Sequence, residues 1–226
     1  MKHNRLFRSL AFGLLAAASL VACKESEENY TPYTNWEARN AAWYLQVTDS
    51  ARTAIAQAKA QYGDQWEDHC QWRQLKSLLK QQNAGGLYTD SICVRILGRG
   101  TGYSPTFSDS VRLNFRGWLM PATYKRINAQ GVQVDSLMQE VFTQTYYGSY
   151  NPETAVPSLM AVSATVPGFS TALQYMREGD DWLVYIPQQL GYGATAKDVI
   201  PAYSTLQFRL SLVAAYPTGS GVPKWY

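Results

Sequence analysis

The chain has 226 residues, 46% of them hydrophobic and 16% charged, and a formal net charge of +3 at pH 7. That length and hydrophobic content suit one or two globular domains with a real core and exclude a disordered or fibrous chain. Lys2, Arg5 and Arg8 carry the whole charge excess, so without residues 1–22 the balance is 17 basic against 17 acidic residues and nothing favours nucleic acid as a partner.

These three basic residues precede an Ala- and Leu-rich run over residues 10–20, too short to span a bilayer and shaped like a secretory signal. The run ends in Leu20-Val21-Ala22-Cys23, which resembles the bacterial lipobox. The resemblance implies a lipoprotein signal peptide over residues 1–22 and a diacylglycerol thioether on Cys23, hence a membrane anchor. The acidic Lys24-Glu25-Ser26-Glu27-Glu28 that follows resembles the surface-export signals of Bacteroidetes lipoproteins. The expected location is the cell envelope, anchored in the outer membrane on its periplasmic face or at the cell surface. Residues 23–34, with Pro32, read as a tether.

Next comes a helical extension, expected over residues 35–84. Trp36, Ala41, Trp43, Tyr44, Val47, Ala51, Ala54, Ile55 and Ala58 recur at helical spacing as far as Tyr62. Gly63-Asp64 interrupts the pattern, and Trp72, Leu75, Leu78 and Leu79 predict a second helix over residues 66–82, closed by Asn83-Ala84-Gly85-Gly86. Helices so short must cover their apolar faces, either on the next domain or by pairing two chains as a homodimer. Cys70 and Cys93 either pair, as an exported compartment permits, or stay free and buried. His69 lacks the companions that a metal site or a catalytic triad needs, so no metal is expected.

From residue 87 the texture turns to β. Ile92, Val94 and Ile96 alternate, as do Val111, Leu113 and Phe115, and further strands are expected over residues 182–186 and 206–212. Between them Phe169, Leu173 and Met176 have helical spacing, and Gly179 marks the stop. Many strands with one short helix predict an α+β domain over residues 87–216, built on an antiparallel sheet.

The order of segments then becomes telling. Residues 109–119, DSVRLNFRGWL, resemble the D-x-V-x-V-x-Y-x-G-x-L strand of FKBP-type peptidyl-prolyl cis-trans isomerases. Val134-Asp135-Ser136 resembles that family's F-D-S segment, and Val166-Pro167-Gly168-Phe169 its V-I-P-G-W helix start. Leu190-Gly191-Tyr192-Gly193 is similar to its Y-A-Y-G turn, and residues 200–208 to I-P-P-N-x-T-L-x-F.

The resemblance implies an FKBP-like antiparallel sheet wrapped around one short helix, and an enzyme that needs no cofactor. Rotation about an X-Pro bond crosses roughly 18–20 kcal/mol because amide resonance is lost at the twisted geometry. An apolar, water-poor hollow disfavours the planar, charge-separated amide relative to the twisted one. The expected clients are proline-containing polypeptides. By the resemblance Phe169 is the floor, Phe115, Val134, Val166 and Phe208 are walls, and Val199 and Ile200 lie near the rim. Tyr192 offers a hydroxyl to the substrate carbonyl, and Asp135 polarises groups at the hollow's edge. With Phe115, these two form the catalytic set. A Tyr-rich insert between Leu137 and Pro167, over residues 142–150, is either a flap for clients or a surface loop. The competing reading of the whole domain is a binding module or chaperone with little catalysis.

Overall fold

In the sheet of this protein, strands repeatedly bury every second side chain, and this alternation positions everything else. The structure, a computed structural model, describes residues 32–79 and 88–225. The expected signal peptide over residues 1–22, Cys23 and most of the expected tether lie outside them. The elements run α1 (Trp36–Tyr62), α2 (Trp66–His69), β1 (Trp72–Lys76), β2 (Ser91–Gly98), β3 (Ser110–Leu119), β4 (Ala122–Ile127), β5 (Gln133–Met138), β6 (Val141–Gln144), β7 (Ser158–Ala161), α3 (Pro167–Tyr175), β8 (Asp181–Ile186) and β9 (Leu206–Tyr216).

Seven strands form one sheet, ordered β1-β2-β8-β9-β3-β6, with β7 also on β3. Every pairing is antiparallel. β3 pairs with β9 along its whole length, and its other edge is shared. β7 takes the stretch from Ser110 to Leu113, and β6 the stretch from Arg116 to Trp118.

Ile92 and Val94 of β2, Val184 and Ile186 of β8, and Leu206, Phe208, Leu210 and Leu212 of β9 are buried on one face. α3 lies against them through Phe169, Ala172 and Leu173, giving the α+β arrangement of a sheet wrapped around one short helix. Gly168 makes the approach close: a Cβ there would stand 2.4 Å from Ile186 Cγ2. Each large apolar side chain so buried contributes roughly 1.5–3 kcal/mol.

The opposite face is covered at two places. α1 packs Tyr44 and Ala51 against Cys93, with Val47, Trp72 and Tyr185 around them. The Tyr44 hydroxyl donates to the Ser91 carbonyl at 2.6 Å. Burial pushes the Tyr44 phenol well above its ordinary pKa, so it stays a donor. α1 thus covers its apolar face on its own sheet. Cys70 and Cys93 are free thiols, both buried.

The second cover is the Tyr-rich insert. Tyr146 is buried, and Tyr150 shares a 2.8 Å hydroxyl hydrogen bond with Ser211. Arg209 lies 4.9 Å from the Tyr150 ring and forks onto Asp181 at 2.6 and 3.0 Å. Arg209 and Ser211 alternate with buried Phe208 and Leu210, so they point away from α3. The Tyr146–Tyr150 part of the insert is a surface cover on the back of the sheet, while Phe142 at its start faces the other side.

One expected element is different in kind. The helix expected over residues 66–82, of which 80–82 lie outside the described residues, does not form over 66–79: α2 stops at His69, and Trp72–Lys76 is the edge strand β1, paired with β2. Arg73 explains the change, because it is buried and hydrogen-bonds backbone carbonyls of Glu67, Cys70 and Trp72 while stacking 4.6 Å from the Trp66 ring. An arginine satisfied in this way replaces the apolar residue that a buried position normally demands.

Candidate active site

The site grows from the N-terminal end of α3. Val166 is extended and caps the helix, and Pro167 follows where its missing N–H costs nothing. Phe169, one turn in, is buried and meets two other rings edge to face: Phe208 of β9 at 4.9 Å and Phe115 of β3 at 6.2 Å between centroids. Phe208 in turn meets Phe142 of β6 at 5.2 Å and 89°. Edge-to-face pairs place the positive ring edge on the negative face and add about 0.5–1.5 kcal/mol each beyond burial. Phe169 and Phe208 are buried while Phe115 and Phe142 are only half-buried, so the cluster has an open side.

Gly117 makes that side possible. A Cβ there would stand 2.6 Å from Phe208 Cε1 and 2.7 Å from Phe142 Cζ. Val166 packs against the same core, and Ile200 is buried in it. Tyr192 and Val199 are exposed, at 37% and 53%, on the connection between β8 and β9. Two turns shape that connection. Gly193 holds a positive φ of 62° and donates its N–H to the Gln188 carbonyl, while Lys197 and Ile200 exchange backbone hydrogen bonds.

Two expected site residues are elsewhere. Val134 and Asp135 lie on β5, which pairs only with β4 in a separate two-stranded arm. The Asp135 side chain is 61% exposed and forms a 2.7 Å ion pair with Lys125 across that arm. Val134 therefore builds no wall, and Asp135 faces solvent rather than the rings. The arm lies between β3 and β6 in chain order.

The strand returning beside β3 is Val141-Phe142-Thr143-Gln144, with Thr143 opposite Gly117. Phe142 is the ring that the sequence reading missed, and the aspartate that the resemblance leads one to expect, Asp135, is on the arm instead. An aromatic residue in a short strand-forming run, followed by Thr-Gln-Thr, was the available signal. An all-carbon cluster with a half-open side can hold an apolar ring; a metal or proton chemistry would need other groups.

Comparison with known proteins gives the following. Residues 102–213 match the family described as FKBP-type peptidyl-prolyl cis-trans isomerase. A protein named macrophage infectivity potentiator from Trypanosoma cruzi is 39% identical over 70 residues, 30% of this chain and 36% of that protein. Peptidyl-prolyl cis-trans isomerase Mip from Coxiella burnetii is 27% identical over 140 residues, 61% of this chain and 51% of that protein. Outer membrane protein MIP from Legionella longbeachae is 29% identical over 121 residues, 53% of this chain and 42% of that protein. The chain thus spans between about a third and a half of the length of these relatives.

Proposed function

Since the chain belongs to the FKBP-type peptidyl-prolyl cis-trans isomerase family, we propose that it accelerates X-Pro isomerisation in polypeptides of the cell envelope. The observation that carries this reading is the half-open ring cluster of Phe115, Phe142, Phe169 and Phe208. A proline ring laid on Phe169 between Phe115 and Phe142 leaves water behind, and its amide enters a medium that disfavours the planar, charge-separated form. Val166 and Ile200 extend the apolar wall, and Val199 sits at the rim. The Tyr192 hydroxyl is the group on the neighbouring loop able to donate to the substrate carbonyl, a preorganised hydrogen bond. Isomerisation moves no proton, so no general base is required.

The test is a protease-coupled assay on a Leu-Pro or Phe-Pro peptide. Phe169→Ala should lose at least tenfold in kcat/KM, about 1.4 kcal/mol of transition-state binding. A wild-type protein no faster than buffer ends the isomerase reading.

A second reading, a binding module or chaperone with little catalysis, is favoured by Asp135, the expected carboxylate, which lies on the arm in an ion pair with Lys125. Under it the peptide binds and Phe169→Ala abolishes binding, but the rate stays near the uncatalysed one.

The envelope location rests on the lipobox-like residues 20–23 and on a relative named as an outer membrane protein. A lipid on Cys23 would hold the domain at a membrane through the 23–34 tether. Cys23→Ser should release the protein from the membrane fraction, and a variant that stays there would remove the anchor. Pairing of two copies through the N-terminal helices fits poorly with an α1 whose apolar face already meets its own sheet.

A further inference from the structure

α1 makes two separate attachments. Tyr44 and Thr48 dock its middle onto β2, through the Ser91 carbonyl and the Cys93 thiol. Its first turns reach elsewhere. The Trp36 indole N–H donates to Ser204 Oγ at 2.8 Å, and that hydroxyl donates to the Pro201 carbonyl at 2.7 Å. Asn40 Oδ1 accepts the Thr205 N–H at 2.8 Å, and Asn40 Nδ2 returns to the Trp36 carbonyl at 2.8 Å. Both residues are buried, and Trp36 belongs to the same core cluster as Ile200, Phe169 and Phe208.

Ser204 and Thr205 end the connection that carries Tyr192, Val199 and Ile200, and Phe208 follows three residues later on β9. Connections of this length open locally at low free-energy cost unless something fixes them. Here the fixing groups come from more than 160 residues away in the chain, and they grip the last two residues before the strand. The chain of bonds runs Trp36 to Ser204 to Pro201, ending beside Ile200.

We propose that Trp36 and Asn40 are positioning residues, which hold the 191–205 connection so that its rim groups stand against the ring cluster. Their kinetic role rests on the isomerase reading. Their mechanical role does not.

The experiment measures amide hydrogen exchange over residues 191–203 in the purified protein, with kinetics on the Leu-Pro peptide in parallel. Trp36→Phe and Ser204→Ala each remove the same hydrogen bond and should speed exchange at the Ile200 and Tyr203 amides by roughly tenfold. Ser204→Ala removes the bond to Pro201 as well, so the double variant should exchange no faster than Ser204→Ala alone. KM should rise several-fold and kcat should fall with it, since the connection carries both the apolar rim and the Tyr192 donor. Tyr44→Phe loosens the same helix at its other attachment and should lower thermal stability without touching loop exchange or KM. Unchanged loop exchange in Trp36→Phe overturns the proposal, as does an equal effect in Tyr44→Phe or a loosened loop with an unaltered KM. If the wild type does not isomerise the peptide, the isomerase reading falls, and the peptide Kd by calorimetry replaces KM as the readout.

Discussion

Phe142 and Phe208 meet edge to face at 5.2 Å directly over the backbone of Gly117, which carries no side chain to keep them apart. β3 supplies the glycine, β6 one ring and β9 the other, so the contact ties three neighbouring strands at the site. Gly117→Ala would drive a methyl group to 2.6 Å from Phe208 Cε1 and 2.7 Å from Phe142 Cζ. Neither ring is a free chain end able to swing aside, and overpacking of this kind costs about 1–3 kcal/mol. The expected outcome is a lower Tm together with weakened peptide binding. A variant that keeps wild-type kcat/KM would show that the two rings do not define the substrate surface.

Thr143 and Asp135 give an opposed pair of predictions. Asp135 is paired with Lys125 on the exposed arm, so Asp135→Ala should leave kcat/KM on a short peptide unchanged, surface ion pairs contributing about 0–1 kcal/mol even to stability. Thr143, opposite Gly117 on β6, stands beside the rings. Thr143→Asp should raise kcat/KM several-fold if a carboxylate there helps to orient the substrate amide. A rate lowered by Asp135→Ala and indifferent to Thr143→Asp would return the role to β5.

Much of this arrangement was legible in the residues. Alternation in β2, β3, β8 and β9 and the 3.6-residue spacing of α3 marked the core because each of those elements buries one face against the others. Phe115, Phe169 and Phe208 came from the family resemblance, and the structure brings their rings together. Two features were not legible. Trp72, Leu75, Leu78 and Leu79 are spaced as a helix would space them, but only coordinates reveal that Arg73 fills a buried place through carbonyls and the Trp66 ring. The arm of β4 and β5 was hidden because Val134-Asp135-Ser136 satisfies the local pattern as well as Val141-Phe142-Thr143 does. Only pairing with β3 tells them apart, and pairing is a long-range property.

Asp109 at the start of β3 predicts an acid sensitivity. Burial raises its carboxyl pKa, but hydrogen bonds from the Thr106 and Thr218 amides and the Tyr103 hydroxyl outweigh that and hold it below the ordinary carboxylate value. A folded pKa lower than the unfolded value of about 3.9 means stability that is present above that pH and lost as pH falls through the folded value. Asp109→Asn should therefore lower Tm at neutral pH, and the gap to wild type should close as the pH falls below the ordinary carboxylate range. Thermal melts across this range check it, and a gap that stays constant would show that the carboxylate's ionisation is immaterial.

The arm itself should be dispensable for chemistry on small substrates. Its base is closed where the Leu119 N–H donates to the Glu140 carbonyl and Gln139 Nε2 reaches Gln207 Oε1 at 3.2 Å, so β3 and β6 stay joined without it. Its far end is a self-contained turn, with Asn128 Oδ1 accepting the Gln130 and Val132 amides and Gly131 at a φ of 74°. Ile127, Val132 and Leu137 are nonetheless exposed along it, an apolar outlay that folding alone does not require. Replacing residues 123–137 by a short Gly-containing turn should leave the fold and the Leu-Pro peptide rate intact. The same deletion should slow the refolding of a proline-limited unfolded protein relative to the full-length chain, because a long client can touch the arm while a short peptide cannot. Equal loss on both substrates would mean that the arm shapes the ring cluster, and equal retention would remove it from client binding.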